Sequence, residues 1–245
     1  MDKASVIIPT YNRFTYLLNA INSVKRQTFK NIEIIIINDC STQKEYYEYN
    51  FADTDIKITI IHLKENSKSL FGFACPGGYQ RNFGINIATG NYIAFLDDDD
   101  IWLPNKLELQ IKYMKESGCK MSCTDGYIGS GIYNEYAIYQ KYNNEYYYNS
   151  IQQIYKNAKS EFVNNGFPTI WNYDFLKIHN CCICSSVVID KDIIDKVGKF
   201  IISNTDEDYE YWLRVLKYTN IVYINDTCFY YDLNHGNGLM YEKCL

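Results

Sequence analysis

Four aspartates in a row, Asp97–Asp100, follow directly on an apolar run. Adjacent carboxylates repel, and they are not buried together without a compensating charge. A hard divalent cation would relieve them, since magnesium and manganese take one or two carboxylates and complete their shell with water and phosphate. In extended backbone alternate residues share a face, which would pair Asp97 with Asp99. The same run also reads as a solvated acidic cap on the helix that follows. Five further places carry comparable chemistry. Thr10-Tyr11-Asn12-Arg13 and Asp39 each stand at the end of an apolar segment. Arg81, in Gln80-Arg81-Asn82 after Gly77-Gly78, suits either packing or charge-assisted hydrogen bonds to a pyrophosphate. Asp206-Glu207-Asp208 reads as a helix cap, or as a general base held rigidly at a helix start. His235, in Asn234-His235-Gly236-Asn237-Gly238, is the candidate histidine for a metal or phosphate contact.

The elements that must position these groups alternate in the first half. Apolar runs predict strands over residues 4–9, 32–37, 56–63, 92–96 and 120–124. Helical spacing predicts helices over 13–27, 43–50, 78–89 and 103–116. Strands separated by helices imply a mostly parallel sheet with helices on its faces. In such a sheet, ligands bind outside the carboxyl ends of the strands. Those ends carry Thr10–Arg13, Asp39 and the aspartate run, so one crevice would gather them. In the second half, a strand over 181–189, helices over 191–197 and 208–217, and strands over 221–224 and 228–231 are predicted. Residues 126–165 are rich in Tyr and Asn with weak periodicity, consistent with an insertion, a loop or acceptor-side structure. No repeat or linker stands out, so a single domain with two functional halves, residues 1–125 and 126–245, is expected.

The chain has 245 residues, formal net charge −5 and 47% hydrophobic residues. These values exclude a disordered chain and give no basic excess for nucleic acid. No apolar stretch approaches a membrane span. Nine cysteines in a chain of this length fit a reducing compartment, and a cytoplasmic location is expected, with peripheral membrane association compatible. Cys181 and Cys184 have a spacing that zinc uses, but their apolar context favours packing. The 25 tyrosines fit a compositional bias in the genome.

Several fragments in order give a resemblance. Ser5-Val6-Ile7-Ile8-Pro9-Thr10-Tyr11-Asn12-Arg13 is followed by Ile37-Asn38-Asp39-Cys40-Ser41, then Arg81-Asn82 with Gly84 and Ala88-Thr89-Gly90. Phe95-Leu96-Asp97-Asp98-Asp99-Asp100-Ile101-Trp102-Leu103-Pro104-Asn105-Lys106-Leu107-Glu108 comes next, and Glu207-Asp208-Tyr209-Glu210-Tyr211-Trp212-Leu213-Arg214 closes the series. Together they resemble a family 2 glycosyltransferase of the GT-A fold, an α/β architecture. The resemblance implies transfer of a sugar, with inversion, from a nucleotide-sugar donor to a carbohydrate, glycoprotein or lipid-linked acceptor, using Mn2+ or Mg2+. It implies that Pro9, Thr10, Tyr11 and Arg13 flank the nucleotide, that Asp39 meets the base, usually uracil, and that Arg81 lies close by. Asp97 and Asp98 would contact the donor, Asp99 with Asp97 and His235 would hold the metal, and Asp208 of the Glu207-Asp208 pair would be the catalytic base. Cys40 departs from the glycine usual after Asp39, and Asp232 stands where relatives often carry an arginine. Two other readings are a sugar-phosphate nucleotidyltransferase and a non-catalytic carbohydrate-binding scaffold. Thr10–Thr15 has one arginine and no glycine, which argues against a triphosphate loop, and the acidic motifs argue against a scaffold.

Overall fold

Isoleucine and valine dominate the first strands, where β-branched side chains suit a pleated surface buried on both faces. The structure is a computed structural model and describes residues 2–52, 55–73, 75 and 77–234. Its strands are β1 (Ala4–Thr10), β2 (Ile32–Asn38), β3 (Lys57–His62), β4 (Tyr92–Phe95), β5 (Ile101–Trp102), β6 (Met121–Gly129), β7 (Gln140–Lys141), β8 (Ile170–Trp171), β9 (Val188–Asp190) and β10 (Ile221–Asp232). They form one sheet in the order β3-β2-β1-β4-β9-β6-β10-β5, with β7 beside β6 and β8 beside β10. β1, β2, β3 and β4 run parallel, as do β6 and β10. The short strands β5, β7, β8 and β9 are antiparallel to their neighbours. The long strands thus give the mostly parallel sheet expected.

Alternation along the strands feeds two cores. Val6, Ile8, Ile34, Ile36 and Leu96 face helices α1 (Phe14–Lys25) and α5 (Lys106–Ser117), through Leu17, Ile21, Val24, Leu107 and Ile111. Ile7, Ile35, Ile37 and Phe95 face α4 (Gly78–Ile87), α8 (Lys191–Val197) and α9 (Glu207–Val215), through Ile85, Ile193, Tyr211, Trp212 and Val215. Short helices α2 (Glu45–Glu48), α3 (Ser67–Phe71) and α7 (Tyr173–Leu176), with α6 (Tyr148–Asn157), complete the helices described.

Four predicted elements differ. The strand expected over 181–189 is a 3-10 turn at Cys184–Ser186 followed by β9. Tertiary donors claim its carbonyls: Trp102 Nε1 donates to Ser185 O and Gln110 Nε2 to Ser186 O. The two C-terminal strands are one strand, β10, with irregular register between Ile224 and Thr227. The helix over 78–89 stops at Ile87, because the backbone N–H of Thr89 turns to the buried carboxylate of Glu33. The Tyr- and Asn-rich stretch extends β6, adds β7 and a π-helical turn at Tyr142–Tyr146, and continues into α6. Among the described residues, no helix is long and apolar enough to cross a membrane.

Gly84 marks where α4 meets β1 most closely. A Cβ there would lie 2.4 Å from Cγ2 of Ile7. Because Ile7 is part of the sheet interior, it has little room to give. Gly84→Ala should therefore destabilise the fold by ~1–3 kcal/mol through overpacking. A thermal melt should show the loss at ~2–4 °C per kcal/mol.

Candidate active site

The crevice at the carboxyl ends of β1, β2 and β4 is built around opposite charges. The aspartate run is a turn rather than extended chain, with Asp100 N donating to Asp97 O at 3.1 Å. Asp97 and Asp99 therefore do not share a face by alternation as the spacing suggested. Two arginines supply the compensating charge. Arg13 Nη1 donates to Asp99 Oδ2 at 2.8 Å and Nε to Asp98 Oδ2 at 3.3 Å, and its Nη2 pairs with Asp98 Oδ1. Arg81 Nη2 donates to Asp97 Oδ1 at 2.5 Å, with Nη1 4.0 Å from Glu207 Oε1. Burial works against the Arg13 and Arg81 charges, but the surrounding acids outweigh it and hold both guanidiniums firmly ionised. Asp98 is fully buried; burial raises its carboxyl and Arg13 pulls it back. Burial and the neighbouring acids raise Asp99 to about 7, against the pull of Arg13. Asp100 lies deeper, accepts from Asp232 N at 3.0 Å, and is pushed well up by burial and by Asp99 and Asp97.

The β1 end is fixed by residues far away in sequence. Thr10 Oγ1 is 2.6 Å from the Tyr46 hydroxyl, which also accepts from Arg13 N. Asn12 adopts φ 51°, and its side-chain oxygen accepts from Thr42 N at 2.7 Å. Pro9 lies in β1 opposite Ile37, and Tyr11 stands half-buried in the loop beyond. Asp39 is satisfied within the protein: its carboxylate accepts from Ser67 N, Ser67 Oγ and Asn66 Nδ2 at 2.7–3.0 Å. Burial raises its carboxyl despite these donors. Cys40 follows at φ 60°, a left-handed conformation that favours glycine. The departure noted in the sequence therefore sits where the backbone would prefer no Cβ.

Gly78 packs against the acidic pair at 207–208. Gly78 N donates to Glu207 Oε1, and a Cβ at Gly78 would sit 2.6 Å from the Glu207 carboxylate carbon. Glu207 is thereby seated against α4 while Asp208, next along α9, has its own backbone partner in Tyr209 N at 2.6 Å. Burial raises Asp208 to about 6, against the pull of Arg81. Arg81 thus lies between the aspartate turn and the Glu207-Asp208 pair. Asp97 is tied back to the 3-10 turn through its N–H to Ser185 Oγ at 3.0 Å. Asp232 is buried and accepts from Gly131 N and Asn234 N, so it braces the end of β10. His235 lies outside the described residues. The cysteines at 181, 182 and 184 are buried, and burial pushes their thiols up. Tyr46, Asn66, Ser67 and Ser185 were not singled out from the sequence. Each is one polar residue in ordinary text, and the contact that gives it a role spans 27–88 positions.

Residues 5–196 match the profile of the family described as glycosyl transferase family 2. The chain belongs to that family. It is 32% identical over 223 residues to the Escherichia coli UDP-Glc:alpha-D-GlcNAc-diphosphoundecaprenol beta-1,3-glucosyltransferase WfgD, covering 90% of this chain and 72% of that one. An uncharacterized glycosyltransferase of Rickettsia bellii is 42% identical over 122 residues, which are 50% of this chain and 16% of that one. The chain thus matches only a small part of that much longer relative. Among solved structures, Staphylococcus aureus TarS 1-349 in complex with UDP-GlcNAc superposes with a TM-score of 0.66 at 18% identity, covering 97% of this chain and 61% of that one. The Pyrobaculum calidifontis mannosyltransferase PcManGT in complex with GDP-Man and Mn2+ gives 0.67 at 12% identity, covering 95% and 57%. The fold is the GT-A fold of these enzymes.

Arg13 is the point at which the site is most exposed to a charge change. Its loss removes the guanidinium that pairs with Asp98 and Asp99, both buried. Arg13→Ala should cost about 2–4 kcal/mol in urea unfolding, somewhat less than a fully buried pair because Arg13 is partly solvated. Asp98→Asn in the same chain should restore part of that loss.

Proposed function

We propose that the chain transfers a sugar from a UDP-sugar to a hydroxyl of a lipid-linked glycan, with inversion at the anomeric carbon. The observation that carries the proposal is the placement of Arg81 between the aspartate turn and Asp208. It sets a buried carboxylate of raised basicity near the polar side chains at three strand ends. Family membership and the names of WfgD and WfaP, both UDP-Glc:alpha-D-GlcNAc-diphosphoundecaprenol beta-1,3-glucosyltransferases, support the donor and acceptor classes. A cytoplasmic site of action is compatible with such a donor.

The donor set suits magnesium or manganese. Asp97 has 30% of its side chain exposed and Asp99 follows it round the turn, giving two hard oxygen donors. Among the described residues, no group of three His, Cys, Asp or Glu could hold a metal, so diphosphate and water would complete the shell. Asp99 and Asp97 would hold the ion, which when bound offsets the charge growing on the departing diphosphate. The residues of the chain supply the rest. Thr10, Tyr11 and Arg13 border the nucleotide, with Asp39 at the base and Asp98 keeping Arg13 in place. Arg81 orients the aspartate turn. Asp208 takes the proton from the acceptor hydroxyl as its oxygen bonds to the anomeric carbon and the carbon–diphosphate bond breaks. Glu207, locked onto Gly78, holds the start of α9 so that Asp208 keeps its aim.

Two measurements check this reading. Calorimetric titration of UDP should show micromolar binding that needs manganese and disappears in Asp99→Ala. Binding of another nucleotide in place of UDP would change the donor, and release of pyrophosphate instead of UDP during turnover would point to a nucleotidyltransferase.

Asp208→Asn should abolish transfer while sparing UDP binding, and the wild-type rate should climb with pH until the Asp208 carboxyl, at about 6, is ionised. The same carboxyl gives a stability check. Its folded value lies above its ordinary value of 3.8, so ionised Asp208 opposes folding above pH about 6 and is neutral to stability well below pH 3.8. Asp208→Asn should therefore melt a few degrees higher at pH 8 and unchanged in strong acid. An inactive variant that melts lower at pH 8 would mean that the residue supports the fold rather than the reaction.

A further inference from the structure

Beyond the aspartate turn lies an aromatic strip whose position is set by one buried acid. Asp125, in the middle of β6, is fully buried. Its carboxylate accepts four N–H bonds: from Gly126 N at 2.8 Å, Asn143 N at 2.9 Å, Asn144 N at 3.2 Å and Asn144 Nδ2 at 2.5 Å. Three of the four come from the π-helical turn at Tyr142–Tyr146. Such turns are rare and are frequent at functional sites. This one carries a tyrosine at each end and a third, Tyr147, directly after it.

The rings line up. Tyr142 lies 5.9 Å from Tyr147 at 24° between planes, and 5.7 Å from Tyr231 of β10 at 72°. Tyr147 lies 5.6 Å from His179. All four are half-buried, with part of each side chain left to solvent. At one end, Tyr231 directly precedes Asp232, whose N–H donates to Asp100 of the aspartate turn at 3.0 Å. At the other, His179 N and the Tyr209 hydroxyl of α9 both donate to Leu176 O, at 3.2 and 2.9 Å. The strip therefore runs from the aspartate turn to the acidic start of α9. It stands on β6 and β10, away from the β1 and β2 ends that border the nucleotide.

We propose that Tyr142, Tyr147 and Tyr231 form the acceptor platform, receiving the apolar face of a pyranose ring so that a ring hydroxyl meets Asp208. The proposal rests on the glycosyltransferase reading above and adds to it the acceptor's chemical form and the residues that select it. A pyranose presents a patch of C–H groups on one face and hydroxyls round its edge. An aromatic face complements that patch, and the tyrosine hydroxyls and Asn144 remain at its rim. Asp125 is a positioning residue: it fixes the turn and touches no sugar.

Saturation-transfer NMR reads this contact without turnover. The probe is methyl N-acetyl-α-D-glucosaminide added to the chain with UDP and Mg2+, and glycerol is the flexible polyol control. Strong saturation of the ring C–H protons is expected for the glucosaminide and weak saturation for glycerol. Tyr142→Phe and Tyr147→Phe keep their rings and should keep the signal, whereas Tyr142→Ala and Tyr147→Ala should lose it by about five-fold. UDP affinity by calorimetry should stay unchanged in all four variants, which also shows that they fold. The platform is overturned by an absent glucosaminide signal in the wild type, by equal signals in the alanine variants, or by glycerol saturating as strongly. A wild type that binds the glucosaminide through these tyrosines yet binds no nucleotide keeps the platform and removes the glycosyltransferase reading.

Discussion

Charge neutralisation of the aspartate turn is the constraint on which the rest of the site depends. Four adjacent carboxylates at the end of a buried strand would oppose folding if left to themselves. Arg13, arriving from the β1 loop, and Arg81, arriving from α4, answer three of them. Asp100 receives a backbone N–H from β10 in addition to the effect of its own raised carboxyl. Each partner comes from a different element, so the charge balance of the turn draws on the β1 loop, α4 and β10 together. The local charge problem is in this way converted into a requirement for the whole fold.

The same arginines decide what a metal would find there. The sequence alone suggested that a cation relieves the acidic run. In the structure two guanidiniums provide that relief, and the carboxylates keep an arrangement compatible with a divalent ion at the exposed edge of Asp97. On the proposed reading, metal would arrive together with an anionic ligand, which restores the charge balance that the metal alone would disturb.

Much of the architecture was legible in the text because it rests on period. The alternating isoleucines of β1 and β2 and the helical stripes of α1 and α9 predict themselves from spacing. The acidic motifs were legible because their order along the chain is specific. What was not legible depends on single long-range bonds. The strand expected at 181–189 failed because Trp102 and Gln110 draw carbonyls out of the extended form. Ser67 and Tyr46 look like any surface serine or tyrosine until Asp39 and Thr10 are placed beside them. The π-helical turn has neither the period of a helix nor that of a strand, so the tyrosines it presents read as composition.

Gly78 shows how tightly the two sides of the crevice are joined. The carboxylate of Glu207 occupies the space that any side chain at position 78 would need. The opening of α4, which carries Arg81, and the opening of α9, which carries Asp208, are thus in direct contact. For protein engineering this makes the pair a single module. Neither helix start can be redesigned, swapped from a relative or moved to a new scaffold unless the other is carried with it.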